Sequence, residues 1–382
     1  MTVLSFDWLL WMVLTVAVYW AAPARFREPI VVGATVGFLA FYSPVSAAIL
    51  VGFTVAVYVS TNRFAASGPR VAAVAIAIVA VLVFYKLQVS FRLDGAVGDV
   101  VIPLGLSYYS FRCLHYLIEK YKGTIPRHGF EEIVAYLMFL PTMAAGPIHR
   151  FREFRRDLRR KRWDTEKFAE GIERILYGYV KIAFLANYLV DRLFASSIAG
   201  LESEHETLAV YLTMLRKGLN GYLQFAGYSD IAIGFALLLG YRVMENFNWP
   251  FLRRNIAEFW RSWHISLSSW CREYVYMVVI SVTRRPALAA LATMLVFGLW
   301  HEISLRYLLW GAYNGLGIVV WQGFQRLKPR LPTIEGVALR RCADLAAIAL
   351  TFHFVMLGFV LVQEDGLAQS LAVYQTLLLP WR

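Results

Sequence analysis

"LVFGLWHEISLRYLLWGAYNG", residues 295–315, is rich in leucine and aromatic residues and long enough to lie in a bilayer, yet it carries His301, Glu302 and Arg306 in its middle. Ionisable groups cost free energy in hydrocarbon, so a chain keeps them there only with a partner, a water-filled cavity or a chemical task. Outward from this stretch, apolar runs recur at 4–20, 30–42, 45–60, 71–87, 101–118, 131–148, 171–195, 207–240, 264–282, 287–300, 304–324 and 343–362. Several approach the roughly 20 residues that a spanning helix requires, and others are shorter or interrupted by Pro and Gly. Of the 382 residues 59% are hydrophobic and 17% charged, against about 25% charge in soluble chains. These features predict an all-α polytopic membrane protein of about ten or eleven helices, not all fully spanning.

No linker, low-complexity tract or internal repeat divides the chain, so residues 1–382 read as one membrane domain. The first run, "LSFDWLLWMVLTVAVYW", has no basic leader and is followed by Arg25 and Arg27. It reads as a retained helix with its C-terminal end in the cytoplasm. Cys113, Cys271 and Cys342 lack metal-ligand or redox spacing and read as packing residues. The basic run "HRFREFRRDLRRKRW", 149–163, sets eight Lys or Arg against Glu153 and Asp157. An ordinary cytoplasmic loop explains it, and so does an amphipathic helix whose Phe151, Phe154 and Leu158 lie on the bilayer while Arg155, Arg156, Arg159 and Arg160 meet lipid phosphates or an acidic protein. The net charge of +12 is spread through loops, which argues against nucleic acid as a partner.

Residues 225–276 carry the most chemistry. A polar group, Tyr228, Ser229 and Asp230, sits inside an apolar run, and "ENFNWPF" cannot continue an undisturbed helix through Asn246, Asn248 and Pro250. A stretch dense in Trp and Arg follows, with His264 on one helical face with Trp260 and Leu267. Irregular backbone at membrane depth is tolerated only against protein or water, so this segment is expected to line a central tunnel, with short re-entrant or interfacial helices around it. Candidate wall residues are Asn246, Asn248, Trp260, Trp263, Ser266 and Trp300.

"YSDIAIG", "NFNWPFL", "EFWRSWHISLSSW" and "GLWH" resemble, in order and spacing, the signature blocks of the membrane-bound O-acyltransferase family. "IPLGLSYYSFRCLHYLIEKYKG", 102–123, and "FLPTMAAGPIHRF", 139–151, resemble its upstream blocks, so the likeness covers roughly 100–362. It implies an integral-membrane enzyme that moves an acyl group from a thioester to a hydroxyl, with His301 at the family's essential His and His264 at a second, frequently retained one. "REYVYMVVISVTRR", "GPIHRFREF" and "LTFHFVMLGFVL" are more similar to the D-alanyl transfer branch, which acts on teichoic acid, than to the alginate O-acetylase branch. That branch implies no bound cofactor and a D-alanyl thioester on the 4'-phosphopantetheine arm of an acidic carrier protein, which would dock on a basic cytoplasmic face. It also implies a bacterial cytoplasmic membrane, an envelope polymer as acceptor, and room for a membrane partner or peptide that relays the acyl group. Glu302, Arg306 and Asn314 depart from the family pattern; Glu302 and Arg306, four apart, are expected to pair on one helix face.

A thioester is already activated, so the chemistry needs an oriented hydroxyl and a base for its proton. Imidazole, with an ordinary pKa near 6.5, is mostly neutral at pH 7 and suits that task. His301 is assigned as the general base and His264 as the group that orients the thioester or stabilises the oxyanion. No Ser or Cys stands in a nucleophile motif, which favours direct transfer. His115, His149 and His353 read as structural, Asp230 as a helix-helix anchor, and His128 and His205 invite no assignment. No metal site is expected, because no His or carboxylate pair has ligand spacing. A transporter should show broken segments in matching halves, and a docking scaffold would have no need of His301.

Overall fold

The computed structural model describes residues 5–63, 67–90, 102–143, 146–160, 162–201, 204–332 and 335–379, which form helices and connecting turns. Ala144 and Ala145 of the 139–151 block and Lys161 of the basic run lie outside the described residues. Four helical stretches, Pro44–Asn62, Gly68–Gln88, Thr165–Ala199 and Val337–Gln363, are long and apolar enough to cross a membrane, and Phe6–Ala21 and Pro286–His301 are shorter apolar helices. The protein is an all-helical, multi-pass membrane protein, as the composition predicts.

The chain divides into two compact units, Met1–Val180 with Gly227–Glu245, and Lys181–Ala226 with Asn246–Arg382. In the first, helices Phe6–Ala21, Arg27–Tyr42 and Pro44–Tyr58 pack in succession. Pro44 opens the third of them, where its missing N–H costs nothing, and Ser43 caps it through a bond from the Ser46 N–H. The Trp20 indole donates to the Leu238 carbonyl at 2.7 Å, and Trp8 meets Phe235 edge-on at 5.2 Å. Asp230 takes a 2.6 Å ion pair from Arg174, which is the anchoring role expected of it. Gly171 and Gly234 let the helices on which they stand touch backbone to backbone: a Cβ on Gly171 would lie 2.9 Å from the Gly234 carbonyl oxygen.

The second unit holds the wide-turned helix that runs to Phe194, the Glu206–Ala226 part of a long helix, the irregular 246–276 segment, and helices Pro286–His301, Leu305–Leu327, Val337–Gln363 and Leu367–Leu378. Cys113 and Cys271 are buried, whereas Cys342 is exposed. Tyr211 and His353 bond at 2.7 Å and stack, which gives His353 the structural part expected of it.

Candidate active site

Pro286–His301 ends on His301 itself. Glu302 follows in extended conformation, its N–H on the Gly298 carbonyl at 3.3 Å, and Ser304 opens Leu305–Leu327. Residues 295–315 therefore form the tip of a helical hairpin rather than one helix, and His301 stands exposed at that tip. The hairpin closes tightly, because a Cβ at Gly311 would lie 2.6 Å from the Met294 carbonyl oxygen. Trp300, Phe297, Tyr307 and Trp310 surround the His301 ring, with centroids at 4.4, 5.6, 5.6 and 5.8 Å.

Glu302 and Arg306 pair at 3.6 Å, but across the break between two helices and not on one helix face. Three non-helical residues, Glu302, Ile303 and Ser304, the first and last of them extended, displace the helical register that sequence spacing assumes. Arg306 also bonds the Glu364 carbonyl oxygen, and the Glu364 carboxylate takes Lys217 Nζ at 2.6 and 2.7 Å. The hairpin tip is thus tied to the end of Val337–Gln363.

"EFWRSWHISLSSW" folds as two short helices, Ile256–Trp260 and Ile265–Cys271, with His264 as N-cap of the second. His264 adopts φ 45°, ψ 52°, a left-handed conformation that costs an L-residue about 1–2 kcal/mol. Asn246 holds this turn, accepting Ile265 N–H on its carbonyl at 2.9 Å and the Ser266 hydroxyl on Oδ1 at 2.6 Å. The His264 ring is 1% exposed, and neither of its nitrogens has a hydrogen-bond partner. Leaving such a group unsatisfied costs about 1–3 kcal/mol. Phe225, Trp300 and Phe297 pack around it at 4.7, 5.8 and 6.1 Å. Both imidazoles therefore contact the same two rings, Phe297 and Trp300. Strained backbone and an unpaired buried donor at one residue mark a functional position more than a packing one.

Among the expected wall residues, Trp260 and Trp300 join this aromatic cluster, Trp260 through Phe297 at 5.0 Å. Asn246 and Ser266 bond each other and brace the His264 turn. Trp263 packs instead on Phe247, Phe259 and Phe359, away from both imidazoles. Asn248 is exposed and contributes its backbone, donating to the Ser262 carbonyl at 3.0 Å. Phe297 and Phe225 were not legible as site residues; Phe297, four before His301, carried a signal in its spacing, and Phe225 carried none.

A cavity of about 500 Å³ adjoins the cluster, lined by Trp260, Ile265, Met294, Phe297, Arg261 and Gln322 among others. Trp260 Nε1 and Gln322 Oε1 are buried without hydrogen-bond partners. Arg261 and Arg272, also in its lining, are exposed and have no acidic partner among the described residues.

The basic run in the first unit forms the helix Phe151–Leu158. Its apolar face is buried in protein, with Phe151, Phe154 and Leu158 at most 3% exposed, and so does not lie on the bilayer. Arg155 is buried as well, donating to Glu132 at 2.7 Å and to the Arg127 carbonyl, which removes it from any docking surface. Arg159 shares Glu132 at 2.8 Å, Arg156 leans on Asp157 at 3.5 Å, and Arg160 is exposed. Three of these four arginines are thus engaged in ion pairs that hold the helix.

The sequence profile of the membrane-bound O-acyltransferase family matches residues 35–337. A probable alginate O-acetylase of Pseudomonas aeruginosa is 33% identical over 285 residues, 73% of this chain and 52% of its own length, and that of Azotobacter vinelandii is 29% identical over 96% of this chain and 75% of its own. The teichoic acid D-alanyltransferase of Bacillus subtilis is 29% identical over 68% of each chain. The alignment thus spans about half the length of the Pseudomonas relative. With the two histidines of the signature blocks on one aromatic cluster and the profile covering most of its length, this chain belongs to the membrane-bound O-acyltransferase family.

Proposed function

We propose that the protein transfers a small acyl group from a phosphopantetheine thioester to a hydroxyl of an exported envelope polymer, at a bacterial cytoplasmic membrane. The observation that carries this reading is the pair of imidazoles on shared aromatic rings, one exposed and one buried with free nitrogens. His301 takes the proton as the hydroxyl oxygen attacks the thioester carbon. The carbonyl end of its helix favours the positive charge that the ring then carries. His264, through an unpaired ring N–H, faces the oxyanion that forms. When the tetrahedral intermediate collapses, the C–S bond breaks and the proton passes from His301 to the departing thiolate.

The adjoining cavity suits the donor arm. A pantetheine chain is largely methylene and methyl groups, which suit the walls at Ile265, Met294 and Phe297, and its phosphate suits the unpaired Arg261 and Arg272. Acetyl is the acyl group favoured by the more similar relatives, which are named as O-acetylases. D-alanyl is a second reading, favoured by the Glu302 carboxylate beside His301 and the rings around it, a setting for an ammonium group. The partner is then an acidic carrier protein, with or without a membrane protein or peptide that relays the group.

Purified protein in liposomes, given acetyl-coenzyme A or a carrier charged with labelled D-alanine, is expected to discharge one thioester in a His301-dependent manner. His301→Ala should lower the rate about 10²–10⁴-fold with donor binding retained. A variant keeping more than about a tenth of the rate would remove His301 from the role of base.

A further inference from the structure

Phe297, on the helix Pro286–His301, is 1% exposed and lines the cavity of about 500 Å³. Its ring also packs on both imidazoles, 5.6 Å from His301 and 6.1 Å from His264. Among the described residues it is the one ring found in both places. Phe225, Trp300, Tyr307 and Trp310 pack on one imidazole or both but do not line the cavity.

The ring has little freedom to swing aside. Trp260, Trp300 and Trp310 hem it in at 5.0, 6.2 and 6.0 Å, separations at which aromatic rings are in contact. The backbone beneath it is equally fixed, because Gly298 follows and a Cβ there would collide with the Tyr307 carbonyl oxygen. A core packed in this way takes an extra methylene only with strain. Phe297 is therefore a fixed wall and not a gate.

A thioester carbon that serves both imidazoles must lie beside the rings that they share, Phe297 and Trp300. Those two rings touch each other, so an acyl tail directed between them meets ring atoms after its first carbons. We propose that Phe297 sets the length of the acyl group, admitting chains of two or three carbons, such as acetyl and alanyl, and excluding longer ones. This role rests on the acyl-transfer reading above and adds to it the residue that selects among donors.

The test gives acetyl-, butyryl- and hexanoyl-coenzyme A to the full chain in liposomes, each rate being taken as a ratio to acetyl within one preparation so that any loss of folded protein cancels. One methylene more or less in an apolar pocket is worth about 10–200-fold, so the wild type should use hexanoyl about a hundredfold more slowly than acetyl, or slower still. Phe297→Ala should raise the hexanoyl-to-acetyl ratio about tenfold or more, because the void left by the ring is larger than the methylenes that hexanoyl adds. Phe297→Leu should admit butyryl but not hexanoyl, and it decides the matter should the alanine variant fail to fold. Phe359→Ala removes the same kind of ring where it packs on Trp263, away from both imidazoles, and should leave the ratios as in the wild type. Ketone analogues of the three donors, with a methylene between sulfur and carbonyl so that no transfer can occur, should bind in the same order. A wild type that uses or binds all three alike, or ratios unchanged in both Phe297 variants, would overturn the role of Phe297 and leave the acyl-transfer reading standing. Neither transfer of any donor nor binding of any analogue would end that reading itself, and this role with it.

Discussion

His264→Gly and His264→Ala remove the same imidazole but leave different backbones. At φ 45° glycine is unstrained, whereas alanine keeps the steric penalty of the left-handed region, so the glycine variant should be the more stable by about 1 kcal/mol. Both should lose transfer activity to a similar extent, since neither can donate to an oxyanion. Thermal unfolding of the two variants beside their turnover rates measures this, and equal stabilities would show that the turn relaxes out of its strained conformation. The strain was not legible in "WRSWHISLSSW", where the helical spacing of Trp260, His264 and Leu267, four and then three, suggested one continuous helix. It arises from Asn246 and Ser266, twenty residues apart, bonding to each other, and a single sequence gives no sign of such a pairing.

Among elements, the hairpin of Pro286–His301 and Leu305–Leu327 sets where the base stands. Gly311→Val should force its two helices apart, costing about 1–3 kcal/mol and displacing His301 from Trp300 and Phe297. Lowered melting temperature with activity falling further than stability explains is the expected result; a fully active, stable variant would show that the hairpin packing does not position the base. The two helices were legible as separate apolar runs at 287–300 and 304–324, because leucine and aromatic periodicity reports helices well. The expected pairing of Glu302 with Arg306 forms, but across the break between the helices, since spacing of four implies a shared face only when the helix is unbroken. The basic helix Phe151–Leu158 shows the same limit. Its amphipathic pattern was plain, but pattern alone does not say whether protein or lipid covers the apolar face, and here Glu132 and the buried aromatics answer for protein.

For the whole molecule, the donor's charge selects which basic residues matter. Arg155, Arg156 and Arg159 are engaged in ion pairs of the first unit, so the unpaired Arg261 and Arg272 are the better candidates to receive a phosphate. Arg261→Glu with Arg272→Glu should raise KM for the donor on the order of tenfold at low salt, with kcat nearly unchanged. The wild-type KM should climb toward that of the variant as salt is added, because exposed charges are screened. A KM unaffected by either change would place the donor's phosphate elsewhere. Composition and hydropathy made the membrane class legible, and ordered signature blocks made the family legible; of the cavity beside Phe297 the wall at 257–276, with Trp260, was legible, whereas the walls at 290–297 and 318–322 were not, because only the fold brings them against it.

The block at 102–123 bears on how the chain is made, for it folds as Leu106–Tyr121 with Arg112 buried near its centre. A guanidinium at the centre of a segment opposes its passage from the translocon into lipid by about 2.5–3.5 kcal/mol, and Leu106–Tyr121 carries His115, Glu119 and Lys120 besides. The acceptors of that guanidinium, the Tyr136 carbonyl and Met143 sulfur, are synthesised later. Leu106–Tyr121 is therefore expected to wait, unintegrated, until the following segment has emerged, and to partition together with it. Nascent chains arrested before Phe130 should leave Cys113 open to an aqueous thiol reagent, and chains extended through Leu158 should protect it, so that biogenesis of the first unit proceeds in multi-helix steps rather than one span at a time.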